Sequence, residues 1–179
     1  MPSDKSLFVC SNGDIAFSSK GFMKKVFQVM REDTKKDRKF FVQSKNPSCL
    51  KQYLNLLPDN TFLLTTLETN RDKDYDKVSK APKPSQRYKD FLSLQWDKKI
   101  VTVEPIMDFD LDQFSKMIIS INPNSVFIGY NSHPKKVPLQ EPTWDKFRAL
   151  WKVLRRNGMR VLPKETRRGY IPKKAYRDL

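Results

Sequence analysis

The sequence predicts an α/β domain: a parallel sheet of about six strands with helices outside, arranged as a partial (β/α) barrel. Three observations predict it. Six short apolar runs recur along the 179 residues, and most are continuous rather than alternating, as expected of parallel strands covered on both faces. Amphipathic helical stretches separate the runs, and such an alternation with right-handed crossovers forces a parallel sheet with helices outside it. Six strands in sequential order then curve into an open or incomplete TIM-like barrel, with a doubly wound sheet as the alternative. Residues 1–166 read as one α/β domain and 167–179 as a basic, surface-lying carboxyl-terminal tail.

The elements follow in order. Leu7-Phe8-Val9-Cys10 is the first strand. After Lys20-Gly21, the side chains of Phe22, Val26, Val29 and Met30 share one helical face. Phe40-Phe41-Val42 is the second strand, and Leu50, Leu54 and Leu57 follow Pro47-Ser48, with Ser48 as N-cap. Phe62-Leu63-Leu64 is the third strand. The polar stretch from Arg71 to Arg87, which contains Ala81-Pro82-Lys83-Pro84, is the one long loop, a kind of segment that often carries function. Tyr88, Phe91, Leu92 and Trp96 mark a shorter helix, and Ile100-Val101-Thr102-Val103 the fourth strand. Asp110 caps a helix striped by Leu111, Phe114, Ile118 and Ile121; Val126-Phe127-Ile128 is the fifth strand. Thr143 caps the last helix. Its Phe147, Leu150, Trp151 and Leu154 give an i, i+3, i+4, i+7 stripe, and Asn157-Gly158 ends it before the sixth strand, Met159-Arg160-Val161-Leu162. Every stripe is assigned to core packing.

Composition narrows the class. An apolar share of 38% with 12 Phe, 3 Trp and 6 Tyr fits a folded domain rather than a disordered chain. No uncharged apolar stretch approaches the ~18 residues of a membrane span. Met1-Pro2-Ser3-Asp4-Lys5 lacks the features of a secretion signal, so the expected location is the cytoplasm, or a host's cytoplasm if the chain is viral. Cys10 and Cys49 lie far apart and read as reduced thiols. With one histidine, His133, no metal site of His and Cys alone is expected. A net charge of +15 favours polyanions, nucleic acid among them. Glycine totals 5, with no glycine-rich phosphate loop, no G-x-S-x-G and no H-E-x-x-H.

Ligands of parallel α/β folds bind beyond the carboxyl ends of the strands. The residues after each apolar run are Ser11-Asn12-Gly13-Asp14, Gln43-Ser44-Lys45-Asn46, Glu68-Thr69-Asn70-Arg71, Glu104-Pro105, Gly129-Tyr130-Asn131-Ser132-His133 and Lys164-Glu165-Thr166-Arg167. Asp14, Glu68 and Glu104 suit ribose hydroxyls, an ammonium group or a divalent metal. Lys45, Arg71, Arg87, Lys164 and Arg167 suit carboxylate or phosphate. Glu104 carries most weight: it directly follows four apolar residues and precedes a proline. His133 is a candidate acid or base, and Cys10 reads as a structural thiol.

Leu67-Glu68-Thr69-Asn70-Arg71, Ser79-Lys80-Ala81-Pro82, Val103-Glu104-Pro105-Ile106-Met107-Asp108-Phe109-Asp110 and Ile128-Gly129-Tyr130-Asn131-Ser132 resemble a phage- and prophage-related group of radical S-adenosylmethionine-like proteins of unknown function. That group is more loosely similar to DNA-photolesion-repair enzymes of the spore photoproduct lyase type. The likeness runs from about Leu7 to Lys164, and the E-T-N-R and E-P-I-M-D-F-D strings are its most specific parts. It implies a partial barrel with S-adenosylmethionine at its top, and a cofactor-facing set of Asn12, Gly13, Asp14, Lys45, Glu68, Asn70, Arg71, Arg87, Glu104 and Asn131. Within that set Asn12, Gly13 and Asp14 occupy the turn that meets the methionyl amine, and Glu68 with Arg71 or Arg87 the place that meets ribose and carboxylate. The family's C-x-x-x-C-x-x-C loop, whose thiolates hold a four-iron cluster, is missing, so the iron–sulfur cluster is not encoded here. The resemblance then implies either a cluster-bearing partner chain that supplies the family's first strand, or a relative without radical chemistry. A basic module of viral or mobile-element origin that binds nucleic acid is the other functional expectation, and a metal-dependent hydrolase or transferase using Asp14, Glu68 and Glu104 is the third.

Overall fold

Short apolar runs bounded by polar turns become strands that pair in chain order. The computed structural model describes residues 6–35 and 38–164. Strands β1 (Leu7–Val9), β2 (Phe40–Gln43), β3 (Thr61–Thr66), β4 (Lys99–Val103), β5 (Ser125–Ile128) and β6 (Val161–Pro163) form one sheet in the order β1-β2-β3-β4-β5-β6. Every pairing is parallel, and the sheet is not closed: β1 and β6 each have one strand neighbour. Arg167 and the tail 167–179 lie outside the described residues.

Four α-helices connect the strands: α1 (Lys20–Glu32), α2 (Pro84–Ser93), α3 (Leu111–Ile121) and α4 (Trp144–Arg156); the 3-10 helix Pro47–Leu56 joins β2 to β3. They touch one another in chain order and so form one layer. This is what right-handed crossovers between strands laid down in sequence produce. The core lies between layer and sheet. Val42, Leu63, Val101, Val103, Val126, Ile128 and Val161 point into it from the strands. Phe147, Leu150, Trp151 and Leu154 of α4 meet them from the helices, each contributing roughly 1.5–3 kcal/mol by burial. Residues of the opposite parity, Phe41, Gln43, Phe62, Leu64, Thr66, Ile100 and Thr102, project from the other face of the sheet. There Phe41 and Phe62 stack with centroids 5.4 Å apart.

Several expectations change in detail. The core side of α1 is Met23, Phe27 and Met30, whereas Phe22 and Val29 are 55% and 67% exposed. Only Met30 of the expected stripe is fully buried, and Val26 is half-buried. Ser48 is not an N-cap: Asn46 stands before Pro47 at the first helical position, and the segment winds as 3-10 rather than α. Proline's fixed φ suits that first position. Asp110 does stand before α3, yet its carboxylate bonds Arg71 instead of the helix amides. The stretch from Arg71 to Arg87 is not all loop, since α2 starts at Pro84 and carries Arg87.

Candidate site at the carboxyl ends of the strands

Beyond β3, Glu68 is buried to 2% exposure and paired through both oxygens. Lys45 Nζ, from the turn after β2, donates to Oε1 at 2.7 Å, and Arg87 Nη2, from α2, donates to Oε2 at 2.7 Å. Arg87 is itself fully buried. It also donates to the Thr66 carbonyl at 2.5 Å and to the Tyr75 hydroxyl at 2.6 Å, and its guanidinium lies 5.0 Å from the Tyr75 ring centre. Burial pushes the Glu68 carboxyl up, but Arg87 and Lys45 together outweigh it and hold the group below its ordinary value. Tyr75 is pushed up to about 12, first by burial and then by the Glu68 charge.

A second pair stands across the sheet. Glu104, at the end of β4 and followed by a cis peptide to Pro105, meets Lys164 Nζ at 2.6 Å beyond β6. Gly129, at the end of β5 between them, is closely flanked: a Cβ there would lie 3.1 Å from Lys164 Cβ and 3.4 Å from Glu104 Cδ, so a side chain enters only if Lys164 gives by a few tenths of an ångström. Just inside the strands on the same parity, Gln43 donates to Thr66 at 2.8 Å, and Thr66 and Thr102 share a 2.9 Å hydroxyl contact. One end of the sheet thus carries a polar rung beneath two ion pairs. The partly exposed side chains are Lys45 (39%), Lys164 (51%) and Glu104 (19%).

Arg71 and Asn70 belong to a different cluster. Arg71 donates to Asp108 at 2.6 Å and to both Asp110 oxygens at 2.7 and 3.0 Å, while Lys146 Nζ of α4 reaches Asp108 at 2.6 Å. Hydrogen bonds from Arg71 and then Asn70 depress Asp110 to about 2. Asn70 accepts from the Asp110 amide at 2.8 Å and donates to Gln113 at 2.7 Å, tying the end of β3 to the start of α3. Arg71 also lines, with Thr69, Tyr75, Met107 and Gln140, a surface cavity of about 400 Å³.

The remaining expected residues are placed as follows. Asp14 accepts from Ser44 Oγ and the Lys45 amide, both at 2.6 Å, and from the Ala16 amide at 2.9 Å; it fixes the turn that presents Lys45. Asn12 and Gly13 lie exposed in the turn after β1. Asn131 is buried, its amide donating to the Val137 carbonyl at 2.6 Å, which folds the loop after β5 back on itself. His133 is exposed on that loop. Of the residues here, Gln43 and Gly129 stood among the strand ends in the sequence without a role, and Thr66, Thr102, Tyr75 and Lys146 were not singled out. The three strand residues had a signal, since each is a polar position of one parity in an apolar run. Tyr75 and Lys146 had none, because nothing in sequence links them to their partners.

Asp14, Glu68 and Glu104 are not gathered as a metal site; each ends on its own amide or cation. Among the described residues, no three His, Cys, Asp or Glu side chains are grouped to hold a metal ion. Cys10 Sγ contacts Met23 Sδ at 3.9 Å, while Cys49 lies 3.5 Å from Ser44 Oγ, and burial raises both thiols. The chain's two cysteines, each with its own partner, are too few and too far apart to supply the Cys set that holds a four-iron cluster. No helix among the described residues is long and apolar enough to cross a membrane. Comparisons with protein-family models, with curated proteins and with solved structures each returned no match.

Proposed function

We propose that this chain is a radical S-adenosylmethionine-like domain that forms part of an S-adenosylmethionine cavity, with the cluster carried by a separate polypeptide segment. The observation that carries the reading is the charged end of the sheet. Lys45, Glu104 and Lys164 present two cations and one carboxylate above the polar rung of Gln43, Thr66 and Thr102. A methionyl group brings one carboxylate and one ammonium. Lys45 suits the first and Glu104 the second, and the rung supplies partners for ribose hydroxyls. Gly129 keeps the floor beside Glu104 free of a side chain. Asp14 and Arg87 act indirectly, holding Lys45 and Glu68 in place. The sequential parallel order and the single layer of helices support a sheet curved as a partial barrel about this face.

The test is binding. In saturation-transfer NMR with S-adenosylmethionine at roughly millimolar concentration, the purified chain transfers signal to the adenosyl and methionyl protons. Glu104→Gln and Lys45→Met remove that transfer while far-ultraviolet circular dichroism is unchanged. No transfer to the wild-type chain overturns the reading.

Nucleic-acid binding is the second reading. The observation favouring it is the exposed basic surface of α4 and the loop after β5, with Lys135, Lys136, Lys152, Arg155 and Arg156. If it holds, fluorescence anisotropy with single-stranded and duplex DNA shows affinity that falls with salt, about tenfold or more between roughly 50 and 200 mM. Salt-independent or absent binding removes it.

A further inference from the structure

Helix α1 is apolar on two sides. Met23, Phe27 and Met30 pack into the core, while Phe22, Val26 and Val29 form a second stripe at i, i+4 and i+7. Phe22 and Val29 of that stripe are more than half exposed. Beside it runs β1, the edge strand, with Leu7 and Phe8 42% and 47% exposed. Strand and helix together line an open groove of about 440 Å³, with Leu7, Phe8, Val9, Val26 and Val29 along it and Lys25 and Arg38 at its margin. The Leu7 amide donates inward to the Lys39 carbonyl at 2.8 Å. By strand alternation the Phe8 amide and carbonyl therefore point outward, away from β2. An apolar edge with outward backbone groups is a template for an added strand.

We propose that the β1–α1 edge is the docking surface for an acidic polypeptide partner, which adds an apolar parallel strand beside β1 and covers Phe22, Val26 and Val29. Charge selects this occupant. Helix α1 carries four basic side chains and one acidic one, and that acid, Glu32, accepts from Gln28 on the same helix. Asp33, beside the groove, is paired with Arg38. A second copy of the chain brings another +15 against this margin. The sequence from 167 to 179, with five basic side chains and one acidic, is no charge complement for it either. The proposal deepens the cavity reading and rests on it only for what the partner carries; the docking itself is tested separately.

The probes are two short synthetic peptides with the same alternating Val/Thr core, one flanked by glutamates and one by lysines, titrated into the full chain. The glutamate-flanked peptide is expected to bind about tenfold more tightly and to slow hydrogen exchange at the Phe8 amide. Phe22→Glu and Val29→Glu, both at exposed positions, each weaken it about tenfold and leave S-adenosylmethionine signal transfer unchanged. Equal binding of the two peptides, or no protection at Phe8, overturns the proposal. So does a wild-type chain that sediments as a dimer which Val29→Glu dissociates, because the occupant is then a second copy. Loss of S-adenosylmethionine binding bears on the cavity alone, and loss of peptide binding on the edge alone.

Discussion

Glu68 is where burial and charge compete most directly. A carboxylate at 2% exposure is held ionised by Arg87 and Lys45. Glu68→Gln strands the buried Arg87 charge and is expected to cost about 3–5 kcal/mol in urea unfolding, and Arg87→Met, which leaves Glu68 with Lys45 alone, somewhat less. The double variant costs less than the two singles together, since no buried lone charge remains and Lys45, 39% exposed, can turn to solvent. The sign with pH follows from the depressed folded-state value of Glu68. Its contribution is fully present above the ordinary glutamate value of 4.5 and is lost as pH falls through the lower folded-state value. Glu68→Gln flattens that part of the stability curve. Asp110 offers a cleaner readout, because it is exposed: Arg71→Ala should move its carbon-detected NMR titration from about 2 towards 3.8. Glu104 was legible from sequence as a carboxylate directly after an apolar run, and Glu68 as a carboxylate in the polar stretch after the third strand. That Glu68 is closed off by Arg87, and that Arg71 belongs with Asp108, was not, because those partners are set by how α2 and the loop after β4 fold back.

At the scale of elements, all six strands lie within two residues of where the apolar runs put them, because short apolar runs bounded by polar turns fix a strand's position whether it is buried throughout, as β4 is, or lies at the open edge, as β1 does. The four α-helices were legible as elements, although α2 starts at Pro84 inside the expected loop and leaves Trp96 outside; α4 was legible in full. Thr143 accepts from the Lys146 amide at 3.3 Å, and Gly158 takes φ +78 at the end. The face of α1 was not legible. Phe22 and Met23, Val26 and Phe27, Val29 and Met30 are adjacent apolar pairs, so two stripes satisfy the same periodicity and only packing against β1 and β2 chooses. Gly129 was visible at a strand end but its role was not, because that role lies in how closely Glu104 and Lys164 approach it. Gly129→Ala should therefore part that ion pair and lower S-adenosylmethionine signal transfer while the melting temperature shifts by only a few degrees. Gly158→Ala, with open space around it but φ +78, should cost about 1 kcal/mol through backbone strain and leave ligand signals unchanged. Thermal unfolding and the same NMR experiment distinguish the two glycines.

For the whole molecule, a net charge of +15 on 179 residues makes self-repulsion a standing load on the folded state. Salt acts on it in two opposed ways. It screens repulsion among surface lysines, and it weakens exposed ion pairs. The balance is readable from where the pairs sit. Lys45–Glu68, Arg87–Glu68, Arg38–Asp33 and Lys146–Asp108 each have at least one largely buried member, and such pairs are screened less than surface charges. Raising sodium chloride from about 20 to 300 mM, which shortens the Debye length below about 10 Å, should therefore raise the melting temperature at pH 7 and then level off. A fall would mean that exposed pairs, not repulsion, dominate the surface. The same rise should be smaller at a pH near the sequence pI of about 9.8, where the net charge has gone. A polyanion or an acidic partner strand relieves this load as salt does, but at one place on the molecule. If the β1–α1 edge is that place, a bound glutamate-flanked peptide should raise the melting temperature more at low salt than at high salt.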